Sequence, residues 1–149
     1  MTAECCFDLR VRNVEFDWLC SDADGFVGFF ATAGAGPVPS SAVDLADAMD
    51  TAIHEMRKRP AATVAVDIRQ LAPDISEWIA VAERGIFAFD WRIASAAYEV
   101  IARPKEAVRL VELVDPTLKR VASMTVLPAS LSLITSLRCD GGQWLADHK

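Results

Sequence analysis

Histidine is nearly missing from this sequence, with only His54 and His148 present. No Cys-x-x-Cys pair occurs among Cys5, Cys6, Cys20 and Cys139 either, so the usual zinc-ligand spacings cannot be assembled and no metal or other cofactor is expected. A Ser or Cys nucleophile needs a base held beside it, and His148 stands in a tail expected to fray, so no triad follows. His54 lies four residues from both Asp50 and Lys58, which reads as one charged, solvated face of a helix.

Long apolar runs are also lacking. Nothing approaches the roughly 18 residues of a membrane span, and residues 1–10 have neither the basic start nor the apolar stretch of a signal peptide. A cytoplasmic protein with no membrane partner is expected. Cysteine is too sparse for a disulfide scaffold, so all four thiols are expected to be reduced. Positive charge is in deficit: 15 Lys and Arg stand against 21 Asp and Glu, a formal net charge of −6. Such a chain repels phosphate backbones, shows no local basic patch, and points away from nucleic acid toward a basic protein partner.

What remains is ordinary core-forming material. Residues of the apolar class make up 52% of the 149 and charged residues 24%, which excludes disordered and low-complexity classes. No repeat or linker interrupts the chain, so 1–149 is read as one domain. Its expected class is α+β: a mainly antiparallel sheet packed against a long helix and shorter helices.

Residues 7–11 alternate as a half-buried strand does, and the alternation resumes with Val14, Phe16, Trp18 and Cys20 after a slip that needs a bend near Asn13. Asp22-Ala23-Asp24-Gly25 marks a hairpin reversal into a strand over 26–32. Gly34-Ala35-Gly36-Pro37 must turn the chain. Ser41 is the expected N-cap of a helix over 42–59 whose apolar face is Leu45, Met49, Ala52, Ile53 and Met56. A strand over 61–68, a short helix opened by Pro73-Asp74 and closed by Gly85, and paired strands over 86–91 and 98–103 follow, as a meander rather than βαβ crossovers. Residues 105–114 fit helix and strand equally. Asp115-Pro116 starts a helix to Ala122, apolar segments cover 124–127 and 131–137, and 143–149 is the fraying tail.

Acidic and aromatic residues form the most conspicuous constellation, and strand ends could gather them: Asp17, Trp18, Asp22, Asp24, Asp90, Trp91 and Tyr98. A calcium loop does not fit, because setting Gly25 at the sixth position puts Cys20 first and Ala31 twelfth. The Gly34 to Pro37 run lacks the Lys-Ser/Thr of a phosphate loop. Trp144, after Gly141-Gly142, is the tryptophan best placed to dock into the chain itself or into a partner.

Two segments carry a resemblance: Phe16-Asp-Trp-Leu with Asp22-Ala-Asp-Gly-Phe-Val-Gly-Phe-Phe-Ala-Thr-Ala-Gly-Ala-Gly-Pro-Val-Pro39, and Gly85-Ile-Phe-Ala-Phe-Asp-Trp91 with 98–104. They are similar to small, uncharacterised bacterial proteins, some resembling immunity proteins that guard against polymorphic toxins. The resemblance implies a bacterial cytosolic origin and assigns no functional residue. The expected function is a non-enzymatic protein-interaction domain, an immunity-type inhibitor covering a basic partner. The alternatives are a small-molecule-binding protein or small hydrolase with its pocket at the strand ends, and a homodimer assembled through a sheet edge or Trp144.

Overall fold

The computed structural model describes residues 8–149. Among them eight strands form one sheet: β1 (Trp18–Asp22), β2 (Val27–Ala31), β3 (Ala65–Val66), β4 (Phe87–Arg92), β5 (Ala97–Pro104), β6 (Val126–Leu127), β7 (Ile134–Asp140) and β8 (Gln143–His148). Four α-helices accompany it: α1 (Ser40–Val43), α2 (Ala46–Lys58), α3 (Ser76–Glu83) and α4 (Pro116–Met124).

The strand order is β6-β1-β2-β4-β5-β7-β8, with β3 added on β5. The sheet is mixed, because β1 pairs with β6 and β2 with β4 in parallel while the other pairs are antiparallel. The expected meander therefore holds only in part. Between β2 and β4 the chain crosses over through α1, α2, β3 and α3, because parallel neighbours cannot be joined by a tight turn. The sheet also curls. Trp18 of β1 touches both Tyr98 of β5 and Trp144 of β8, strands well apart in the order.

Helix α2 buries Met49, Ala52, Ile53 and Met56, the i, i+3, i+4, i+7 stripe expected of it. It packs on α4, which buries Leu118, Val121 and Ala122 and rests on β1, while α3 covers β4 and β5. Fully buried aromatics fill the space beneath, with Phe30 stacked between Trp18 and Phe89 at 4.5 Å on each side. Each such ring contributes about 1.5–3 kcal/mol by burial.

Local signals explain several boundaries. Gly25 at φ +82 closes the β1–β2 hairpin and Gly85 at φ +88 ends α3. Asn13 at φ 62 turns the chain after residues 9–11, but no strand lies on either side of it, so it is not the bulge within a strand that the slipped alternation called for. Asp74 accepts the Ser76 backbone N–H at 3.0 Å and hydroxyl at 2.7 Å as α3 begins.

Other expectations are corrected. Residues 9–11 form a 3-10 turn rather than a strand, while Phe7 lies outside the described residues. The helix read over 42–59 is two helices broken at Asp44 and Leu45, and Ser41 caps neither. Its hydroxyl instead meets the Thr125 hydroxyl at 2.7 Å, tying α1 to the end of α4. The strand over 61–68 contracts to Ala65–Val66. Residues 105–114 are neither helix nor strand apart from a 3-10 turn at Leu110–Glu112. The tail expected to fray is β8, paired along β7. Cys20 is a buried free thiol, Cys139 is disulfide-bonded rather than reduced, and Cys5 and Cys6 lie outside the described residues.

Candidate functional site

Just before β1 the chain is held against the end of β2 by the Phe16 N–H, which donates to Thr32 Oγ1 at 2.9 Å. That tether sets Glu15 and Asp17 over the α2 face carrying Asp50, His54 and Arg57. Together with Phe16 and Ile53 these side chains line a cleft of about 400 Å³. Arg57 also lines a neighbouring hollow of about 260 Å³ with Glu77 and Arg84.

Charge in this region is poorly balanced. The Arg57 guanidinium bonds to Glu77 of α3 and lies 3.8 Å from Asp17 Oδ2, so one cation is shared by two carboxylates. Burial pushes the Asp17 carboxyl up to about 6, with Glu77 adding to the rise, Arg57 opposing it, and Glu15 and Asp90 adding again. Asp90, near the end of β4 and 7% exposed, is likewise pushed up by burial, against the Arg92 guanidinium at 3.2 Å. Carboxylates crowded in this way are short of positive charge.

Trp18 and Tyr98 lie directly beneath and are fully buried. The Trp18 indole N–H donates to Tyr98 Oη at 3.2 Å, and the Tyr98 hydroxyl donates to the Pro37 carbonyl at 2.7 Å. Burial raises the Tyr98 pKa, which keeps the phenol a neutral donor. The Gly34 to Pro37 run acquires a role here, because a Cβ on Gly36 would stand 2.5 Å from Tyr98 Oη. Trp91 is half-buried and meets Tyr98 edge-on at 5.2 Å. Trp144 docks into its own chain, 6.2 Å from Trp18, with its indole N–H buried and without a hydrogen-bond partner.

The structure thus brings together Asp17, Asp90 and Trp91 at one end of the sheet, above Trp18, Tyr98 and Trp144. It separates Asp22 and Asp24 from them by the length of β1, roughly 17 Å. Asp22 is committed to the hairpin: its Oδ1 accepts the N–H groups of Asp24 and Phe26 at 3.0 Å each, and its Oδ2 accepts Leu131 N–H at 2.7 Å. The Asp24 carboxylate accepts the Ser130 hydroxyl at 2.7 Å.

Glu15 and Arg57 line the cleft and Glu77 the neighbouring hollow, and none of the three was singled out in the sequence. The helical spacing of Asp50, His54 and Arg57 was a usable signal, although it grouped His54 with Lys58 equally well. Glu77 gave none, because only the packing of α3 beside α2 joins it to Arg57. Among the described residues no group of three or more His, Cys, Asp or Glu is placed to hold a metal ion, and no helix is long and apolar enough to cross a membrane. Comparison with protein-family models, curated proteins and solved structures finds no match.

Proposed function

We propose that the chain is a non-enzymatic protein-interaction domain, an immunity-type inhibitor that offers its acidic cleft to a basic partner protein. The carrying observation is the shortage of positive charge where Asp17 and Glu77 share Arg57 beside Glu15 and Asp50. A lysine or arginine side chain entering beside Asp17 relieves that repulsion. Acidic residues around it speed encounter with a basic surface, and Trp91 at the same end offers an aromatic anchor.

The test is co-expression with the product of a neighbouring toxin gene in the native host. Wild-type chain should protect growth and co-purify in a salt-sensitive complex, and Glu77→Lys should lose both while remaining folded. A chain that always elutes alone and protects against no neighbouring toxin removes this reading. The cytoplasmic placement that accompanies it needs cell fractionation, because the Cys139 disulfide favours an oxidising compartment.

Two observations favour a second reading, a small-molecule-binding protein or small hydrolase. The cleft volume falls within the roughly 300–1,000 Å³ range of ligand pockets, and a carboxyl titrating at about 6 suits a general acid. Thermal stabilisation by a metabolite, abolished by Asp17→Asn in a folded variant, would favour it over protein binding.

A further inference from the structure

At the opposite end of the sheet the chain leaves β5 as Arg103-Pro104-Lys105-Glu106-Ala107-Val108-Arg109, and these residues are strapped to the β1–β2 hairpin. Leu110 N–H donates to Gly25 O at 2.7 Å, and Arg109 Nη1 donates to Asp24 O at 2.6 Å. The Arg109 guanidinium carbon sits 4.7 Å from the centroid of the Phe26 ring, so this cation is oriented by a π face as well as by a carbonyl.

The strap forms one wall of a groove of about 430 Å³, whose apolar lining includes Phe26, Phe87 and Ala107. Its charged lining is Arg103, Lys105, Arg109 and Lys149 against one carboxylate, Asp67, in a chain whose net charge is −6. Arg103 is 4% exposed and gives its guanidinium to the carbonyls of Leu131, Ser132 and Ile134. It supplies field rather than a free donor. Asp67, a non-glycine residue at φ 51, places its carboxylate 3.3 Å from Lys149 Nζ and 3.7 Å from Arg103 Nε, where it partly neutralises both. Lys105 and Arg109 are exposed and remain to meet a ligand.

We propose that this groove binds an organic anion that joins a phosphate or carboxylate head to a flat apolar body. The head meets Lys105 and Arg109, with Lys149 adding charge, and the body lies against Phe26 and Ala107, above the buried Phe87. Neither part suffices alone, since exposed cations hold a small hydrated anion weakly and an apolar body gains nothing from the cationic wall. The proposal is independent of the acidic cleft, which lies at the other end of β2 and β4.

The experiment is an NMR titration of the full chain with 1-naphthyl phosphate, with 1-naphthoate, inorganic phosphate, 1-naphthol, a short single-stranded oligonucleotide and an acidic peptide as separate arms. Saturable shifts confined to Phe26, Phe87, Lys105 and Arg109 are expected with the naphthyl anions, at least tenfold tighter than with inorganic phosphate or naphthol. The tighter of the two naphthyl anions identifies the head group. Lys105→Glu, at an exposed position whose backbone alone is bonded to Val64, should weaken binding at least tenfold with an unchanged melting temperature. Arg109→Ala should weaken it similarly. Absence of saturation with either naphthyl anion, equal affinity in Lys105→Glu, or saturation only with the oligonucleotide or the peptide would overturn the assignment.

Discussion

Where the pairing of β2 with β4 ends, at Ala31 and Asp90, carboxylates crowd around Arg57; where the same strands begin beside Phe26 and Phe87, Arg103, Lys105, Arg109 and Lys149 face Asp67 alone. A net charge of −6 describes neither end. The total averages two opposed fields, and association is governed by local potential rather than by the sum. No local basic patch was expected from the sequence, yet Arg103, Lys105 and Arg109 lie close together in it and the fold adds Lys149 to the same groove.

Two aspartates at opposite ends of β1 make the same point at the scale of one side chain. Asp22 is knitted into backbone amides on both oxygens, whereas Asp17 faces other acids. Removing each carboxylate should change stability in opposite directions.

The largest effect is expected for Asp22→Ala, which strips acceptors from three amides at once, one of them the buried Leu131 N–H. A loss of about 3 kcal/mol in urea unfolding at pH 7 is predicted. A loss under about 1 kcal/mol would mean that the hairpin does not depend on this side chain.

Asp17→Asn comes next and has the opposite sign. The folded carboxyl titrates at about 6, above its unfolded value of roughly 3.9, so ionisation weakens the fold as pH rises through that window. Below it the acid is protonated in both states and nothing is lost. Asp17→Asn should therefore stabilise the protein above pH 6 by on the order of 1–2 kcal/mol, after allowance for a side chain 32% exposed, and by almost nothing near pH 4. Denaturant curves at the two pH values measure this directly. Stabilisation of equal size at both would break the comparison with Asp22.

Smaller effects sharpen the picture at the acidic end. Arg57→Gln removes the cation shared by Asp17 and Glu77, and should cost about 1 kcal/mol at pH 7 while raising the Asp17 titration further. Carbon-detected NMR would report the second effect even if the first is masked by packing. Arg92→Ala, which leaves Asp90 without its partner at 3.2 Å, is expected to cost only about 0.5 kcal/mol and to push Asp90 higher.

The sequence was most readable where a single residue dictates the backbone. Gly25, Gly85 and the Asp115-Pro116 pair each mark a boundary that the fold keeps. It was least readable where distant segments decide. Residues 126–127 become a strand only because β1, about a hundred positions earlier, offers a parallel edge. The break at Asp44 and Leu45 has no glycine or proline to announce it, yet Leu45 still packs against the core. The acidic cleft was half legible: Asp17 stood out, while Arg57 meets it only because α2 packs beside the start of β1, and Glu77 joins Arg57 only through the packing of α3 beside α2. The aromatic set was legible in identity but not in depth, since Trp18 and Tyr98 spend their polar atoms on each other and on Pro37.

The most direct test of the acidic cleft as a receptor for a basic partner is a carboxyl titration of Asp17 by NMR, alone and with a lysine-rich peptide added. Titration at about 6 is expected in the free chain, falling toward the ordinary carboxylate range when the peptide binds, with a proton released near pH 6. Titration in the ordinary range in the free chain, unchanged by the peptide, would contradict it.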